Sequence, residues 1–288
     1  MQACDRYQAP TTIEDLVRAA AEKKATLLAG GTDLLPRWSK GMVAGPERVI
    51  DLKRIEQLKG VSRVNGEVVI GACMTLSDIA DDSVICETAP VLAEAAGRVA
   101  CPQVRNRATI GGNLCNASPA ADTAIPLILL DAVLELAASG PGGLTTRELP
   151  ITEFFRGPGA TALRPGEILT RVRFRPLPAG ACAAWDKFGT RPSMEIAVAS
   201  VGLALELENE TVTWARVGYG SVAPTPLRGR AAEAALMNNI LSTEVIARCQ
   251  IAARKEISPI SDVRAGEAYR REIVGVMLRR MLEHAASA

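Results

Sequence analysis

A chain of 288 residues with 48% hydrophobic and 23% charged positions has the composition of a globular protein, long enough for two medium domains with self-sufficient cores. Its net charge of +1, with no charge blocks, gives no footing for nucleic acid or an anionic membrane as partner. The longest apolar stretch, 124–133, contains Pro126 and Asp131 and falls short of the ~20 residues of a membrane span, and residues 1–6 lack a signal-peptide core, so a cytoplasmic protein is expected.

Taken in order, residues 12–21 read as a short amphipathic helix with Ile13, Leu16, Val17 and Ala20 on one face and Thr11 or Thr12 as cap. Residues 26–29 form a buried strand that runs into Leu28-Ala29-Gly30-Gly31-Thr32-Asp33-Leu34-Leu35. Short strands follow at 49–52 and 68–72, the latter reached through the hairpin signal Asn65-Gly66. Thr75 or Ser77 can cap a helix near 76–82, and Pro90 opens a longer one through Ala100. The stretch Thr109-Ile110-Gly111-Gly112-Asn113-Leu114-Cys115-Asn116 then leads through Ser118-Pro119-Ala120-Ala121-Asp122 into an apolar helix at 125–131. Strands come next at 133–136, around Leu149 and at 168–174. After the connector 175–180 the pattern changes to strands at 183–188, 197–206 and 212–219, then helices near 231–237, 243–256 and 267–283. The class is α+β, with one domain over 1–176, in subdomains of about 1–60 and 61–176, and a second over 177–288 built from an antiparallel sheet and helices.

Both glycine pairs follow apolar runs and are flanked by small or hydroxyl residues, as where a chain exposes consecutive backbone N–H groups in turns that Gly enters at low cost. Concave clusters of amides bind phosphate oxygens. Read alone, each pair is equally an ordinary tight turn. Neither the P-loop nor the dinucleotide G-x-G-x-x-G fingerprint is present. The single histidine, His284, lies near the C-terminal end, which leaves no ground for histidine-based triads, metal sites or a histidyl-linked flavin. Seven cysteines, at 4, 73, 86, 101, 115, 182 and 249, show no C-x-x-C spacing and read as reduced, small buried hydrophobes. Cys101 and Cys115 stand out because they bracket the second glycine pair. Any redox chemistry must therefore come from a bound cofactor.

In order and spacing, residues 29–35, Val68-Val69-Ile70-Gly71-Ala72 with Thr75, 109–113, 118–122 and Pro165-Gly166-Glu167-Ile168-Leu169 resemble the FAD-binding subunit of the molybdenum hydroxylases. That family includes the medium subunits of carbon monoxide dehydrogenase, 4-hydroxybenzoyl-CoA reductase and bacterial xanthine dehydrogenases. The resemblance implies an N-terminal FAD domain of the vanillyl-alcohol-oxidase type, made of two α/β subdomains, and a C-terminal domain of the carbon monoxide dehydrogenase flavoprotein type. It also implies noncovalent FAD, held by Leu28, Ala29, Gly30, Gly31, Thr32, Asp33 and Leu34 around the pyrophosphate, with Thr109, Ile110, Gly111, Gly112, Asn113 and Asn116 approaching from the other subdomain. Ser118 belongs to the same set. Asp122 would accept hydroxyls of the ribityl chain or ribose, Ile168 and Leu169 would pack on a ring, and Lys187 would stand near the flavin.

Asp33 suits helix capping or loop ordering better than contact with phosphate, and Arg105 and Arg107 are either exposed loop arginines or neutralise the pyrophosphate. In the stretch 191–196, Met194 and Glu195 occupy positions often acidic or aromatic in the family, and the departure, at Met194, leaves the electron acceptor open among NAD⁺, a quinone, ferredoxin or another carrier. No four-cysteine insertion for an extra [4Fe–4S] cluster is present. The function implied is electron transfer from [2Fe–2S] clusters on a small partner subunit, with substrate chemistry at molybdenum–pterin on a large one, in a dimer of heterotrimers. The alternatives are a free-standing flavin oxidoreductase of the same domain type and a flavin-free scaffold.

Overall fold

Three short strands, Arg6–Gln8, Ala25–Leu28 and Arg48–Asp51, lie parallel, with the last between the other two. The computed structural model describes residues 6–22, 25–191 and 194–287; Cys4, Pro192 and Ser193 lie outside the described residues. Parallel strands need a crossover, and the helix Ile13–Ala20 supplies one, with Thr12 as its cap accepting the Asp15 amide. The helix buries Ile13, Leu16 and Val17 in a small core with Ile50, Leu52, Ile55 and Leu58. Ala137 and Ile168, from the next layer, complete that core and fix the two layers to each other.

The second layer is a sheet of five strands, Val61–Val64, Glu67–Gly71, Ile168–Phe174, Val133–Gly140 and Gly143–Pro150 in spatial order. All its pairings are antiparallel, where the short strands and intervening helices of the sequence suggest a βα order. Asn65 and Gly66 turn the first hairpin with φ of 52° and 79°, the left-handed pair that a two-residue connection requires. The helices between Gly71 and Val133 cover this sheet in one core with Ile70, Leu134, Leu136 and Val172. The helix begun by Pro90 stops at Gly97, and Ala100, expected inside it, has φ of 45°.

The third layer is the antiparallel sheet Cys182–Phe188, Ala199–Glu208, Thr211–Gly220 and Leu227–Arg228, in that order. Helices Arg230–Leu236, Thr243–Glu256 and Glu267–Ser287 share a core with its middle strands. The sheet meets the second layer through the apolar helix Ala124–Leu129. Gly202 lets it approach, because a Cβ there would stand 2.7 Å from Cγ2 of Ile125. Asp131, at the end of that helix, pairs with Arg216 at 2.8 Å and Arg228 at 2.6 Å across the same seam.

Candidate functional site

Between the first and second layers lies a cavity of about 390 Å³. Residues 28–34 enter it from the end of strand Ala25–Leu28, and Thr109, Gly111, Gly112, Asn113 and Asn116 line it from the second layer. Ile168 and Leu169 form part of its floor. Thus most of the residues expected from the sequence share one space, although Ile110 is buried in the core behind it.

The first glycine pair forms a tight turn at the layer boundary. Gly31 has φ of +73°, the left-handed region that costs Gly little. A Cβ on Gly30 would overlap the Arg107 carbonyl oxygen and lie 2.9 Å from the Ala108 Cα. The two layers therefore meet here backbone to backbone. The amides of Gly30, Gly31, Thr32 and Asp33 make no hydrogen bond among the described residues. Four consecutive donors facing a cavity form a cradle for oxyanions that adds no charge of its own. Asp33 sits at the cap position of helix Leu34–Ser39 without a capping bond; its carboxylate instead meets Arg37 at 3.3 Å, one helical turn on.

The second pair differs from the open turn expected of it. Gly111 and Gly112 lie inside the helix Ile110–Cys115, and their amides are already used: Ile110 donates to Met74 O at 3.1 Å, Gly111 to Ala72 O at 2.9 Å and Gly112 to the cap hydroxyl of Thr109 at 3.1 Å. Glycine is needed at 111 for room, since a Cβ would come within 2.7 Å of Ala72 O. This side of the cavity offers side chains instead, with the Asn113 carbonyl held by Thr123 at 2.7 Å so that its amide group is oriented.

Asp122 and Lys187 come together outside this cavity. Lys187 Nζ donates to Asp122 Oδ2 at 2.6 Å and to the Arg98 carbonyl oxygen at 2.8 Å. Asp122 is buried, and its other oxygen, Oδ1, has no hydrogen-bond partner among the described residues. Burial pushes its carboxyl above the usual carboxylate range, opposed by the positive charges of Lys187 and Arg98. Lys187 also lines a second cavity of about 760 Å³, with Arg98, Arg105 and Glu195. Val99 faces the first cavity while Arg98 and Ala100 face the second, so a single turn divides them. Glu195 folds back onto the amides of Thr190 and Arg191, and Met194 is exposed with φ of 54°.

Ser118, expected at the cofactor, and the two loop arginines lie outside the first cavity. Ser118 accepts the Ala120 amide at 3.2 Å and lines a separate groove with Ser221 and Arg270. Arg105 donates to Val99 O at 3.0 Å, and Arg107 is exposed and lines neither cavity above. Sequence reasoning missed Arg37, the one cation lining the first cavity among the described residues, whose signal is its place four residues after Asp33. It also missed Glu167 as a structural group: Arg147 grips its carboxylate with two bonds of 2.7 Å and the Arg164 amide adds a third, holding it below the usual range despite burial. Cys73, like Cys115, lines the first cavity, and burial pushes each thiol up to about 12. Both are thus protonated, and poor nucleophiles, near neutrality.

Free amides, an apolar wall that includes Leu28, Val99, Val104 and Leu169, and an orphaned buried carboxylate oxygen fit a long cofactor with phosphates at one place and hydroxyls and rings at others. Fold and site define a cofactor-binding α+β class, with an amide-lined cavity beside a C-terminal antiparallel sheet. Residues 2–178 match the family described as "FAD binding domain in molybdopterin dehydrogenase", and residues 184–285 match "CO dehydrogenase flavoprotein C-terminal domain". The xanthine dehydrogenase FAD-binding subunit of Escherichia coli O157:H7 is 31% identical over 98% of this chain and 96% of its own. The carbon monoxide dehydrogenase medium chain of Hydrogenophaga pseudoflava is 32% identical over 97% of this chain and 96% of its own. A solved structure, reconstituted CO dehydrogenase from Oligotropha carboxidovorans, superposes with a TM-score of 0.92 at 31% identity, covering 100% of this chain and 99% of that one. The chain belongs to the family of FAD-binding subunits of the molybdenum hydroxylases.

Proposed function

We propose that this chain carries FAD noncovalently and transfers electrons for a molybdenum-containing hydroxylase or dehydrogenase, within domains spanning 1–176 and 177–288. The observation that carries this reading is the run of unbonded amides at Gly30–Asp33 opening onto a cavity with apolar walls. When bound, FAD accepts electrons singly or in pairs and releases them singly or as hydride. The chain's part is to hold it. Amides at 30–33 bind the pyrophosphate, and Arg37 is near enough to Asp33 to add charge as the loop fills. Asp122 Oδ1 accepts a ribityl or ribose hydroxyl, which a carboxylate does well. Leu169 and Val99 exclude water from the rings, and Lys187 opposes the effect of burial on the Asp122 carboxyl and places a cation at that end of the site.

The reading extends to partners: a small subunit with [2Fe–2S] clusters delivers electrons, a large subunit with molybdenum–pterin performs the substrate chemistry, and two such trimers associate in the cytoplasm. Relatives bearing the words "subunit" and "medium chain" support a place for this chain in a multi-chain complex. Titrating flavin-depleted protein with FAD, and in parallel with riboflavin, tests the site. FAD is expected to bind at least about a hundredfold more tightly, because riboflavin has no phosphates for the amide cradle. Equal affinities would contradict the assignment.

A further inference from the structure

We infer that Arg98 is a positioning residue whose side chain clamps the strand Cys182–Phe188 so that the Lys187 ammonium is delivered to Asp122. The inference rests on the FAD reading above but concerns a residue outside the amide cradle. That strand is the edge of its sheet, bonded only to Ala199–Glu208, so its other side has no ladder to fix it. Arg98, which ends the helix Pro90–Gly97, takes that place. Side chains alternate along a strand, putting Trp185 and Lys187 on one face and Asp186 on the other. Arg98 holds both faces: its guanidinium lies 5.0 Å over the buried Trp185 ring and donates to Asp186 Oδ1 at 2.8 Å. Glu94 anchors it from its own helix at 3.2 Å. Its carbonyl oxygen accepts the Lys187 ammonium directly, at 2.8 Å.

Lysine is a point charge on a flexible stem and does not by itself hold a fixed position. Here the Lys187 ammonium has two acceptors, Asp122 and the Arg98 carbonyl, and lies 6.0 Å from the Trp185 ring that Arg98 covers. The ion pairs of Arg98, 38% exposed, with Glu94 and Asp186 are partly solvated and stabilise the fold little. Their effect is on where Lys187 stands. Arg98 also faces Asp122 electrostatically, as does Lys187, while Glu94 and Asp186 sit against Arg98.

The test measures FAD dissociation against pH, and the flavin reduction potential, in the purified complex for wild type, Arg98→Gln, Arg98→Lys and Asp186→Asn. Arg98→Gln is expected to weaken FAD binding about tenfold near neutrality, to shift the acid limb of binding upward by about one pH unit as Asp122 loses a facing cation, and to make the flavin harder to reduce. Arg98→Lys should restore most of this, and Asp186→Asn, at a carboxylate 55% exposed, should weaken FAD binding and make the flavin harder to reduce as the clamp loosens, without the upward pH shift because the Arg98 cation remains, and without threatening the fold. Wild-type FAD affinity and flavin potential in both Arg98→Gln and Asp186→Asn would overturn the inference, even if thermal stability fell. A wild-type protein that binds no FAD would instead overturn the reading on which it rests.

Discussion

Gly30 shows how much of the site depends on the absence of one carbon atom. Gly30→Ala would drive a methyl group into the Arg107 carbonyl, so the layers must part and the cavity must open. Flavin content after purification is expected to fall to a small fraction of wild type, whereas Gly142→Ala, at an open position, should leave it unchanged. Glu167 makes a different prediction. Its carboxyl is held below its ordinary value by Arg147 and the Arg164 amide, so its contribution to stability is complete above the unfolded-state pKa and is lost as pH falls through the lower folded value. Glu167→Gln should cost about 1–2 kcal/mol near neutrality, and melting curves of variant and wild type should converge in acid. The glycine pair and the proline-glycine-glutamate turn are visible in the sequence because local turn chemistry selects them. Arg98 and Arg147 are not, because what they touch lies 88 and 20 residues away and no short pattern records it.

At the scale of elements, the helix Ile110–Cys115 separates what a glycine pair signals from what it does. Two glycines after an apolar run read as an open turn; in the structure they start a helix whose amides are bonded to Met74, Ala72 and Thr109. Room against a neighbouring strand end, a nonlocal demand, selects Gly111. Thr109→Ala removes the cap and is expected to cost about 1 kcal/mol, seen as a drop in melting temperature of about 2–4 °C. FAD affinity should fall with it, since Thr109 lines the cavity. The strands and helices of the C-terminal part follow their periodicity closely, Thr243–Glu256 most of all. The antiparallel pairing of the second sheet does not, because hydrophobic periodicity identifies a strand without its partner.

For the molecule as a whole, the C-terminal sheet matters to the FAD site because it carries Lys187, and it reaches the second layer across the seam at Gly202 and Asp131. Gly202→Ala should therefore destabilise the protein by about 1–3 kcal/mol and also weaken FAD binding, although it lies outside both cavities. Calorimetry paired with flavin titration checks both effects. The change to an antiparallel sheet followed by helices after the connector at 175–180 is legible from the sequence pattern; the seam is not, since it depends on side chains from both parts meeting.

The most direct test of the central claim is the visible spectrum and metal content of natively purified protein, before and after acid release of its chromophore. The account predicts flavin absorption near ~450 nm, free FAD in the acid supernatant, and iron and molybdenum in two co-purifying chains. A colourless protein, or a flavin-bearing monomer without associated metal that turns over a substrate by itself, would contradict it.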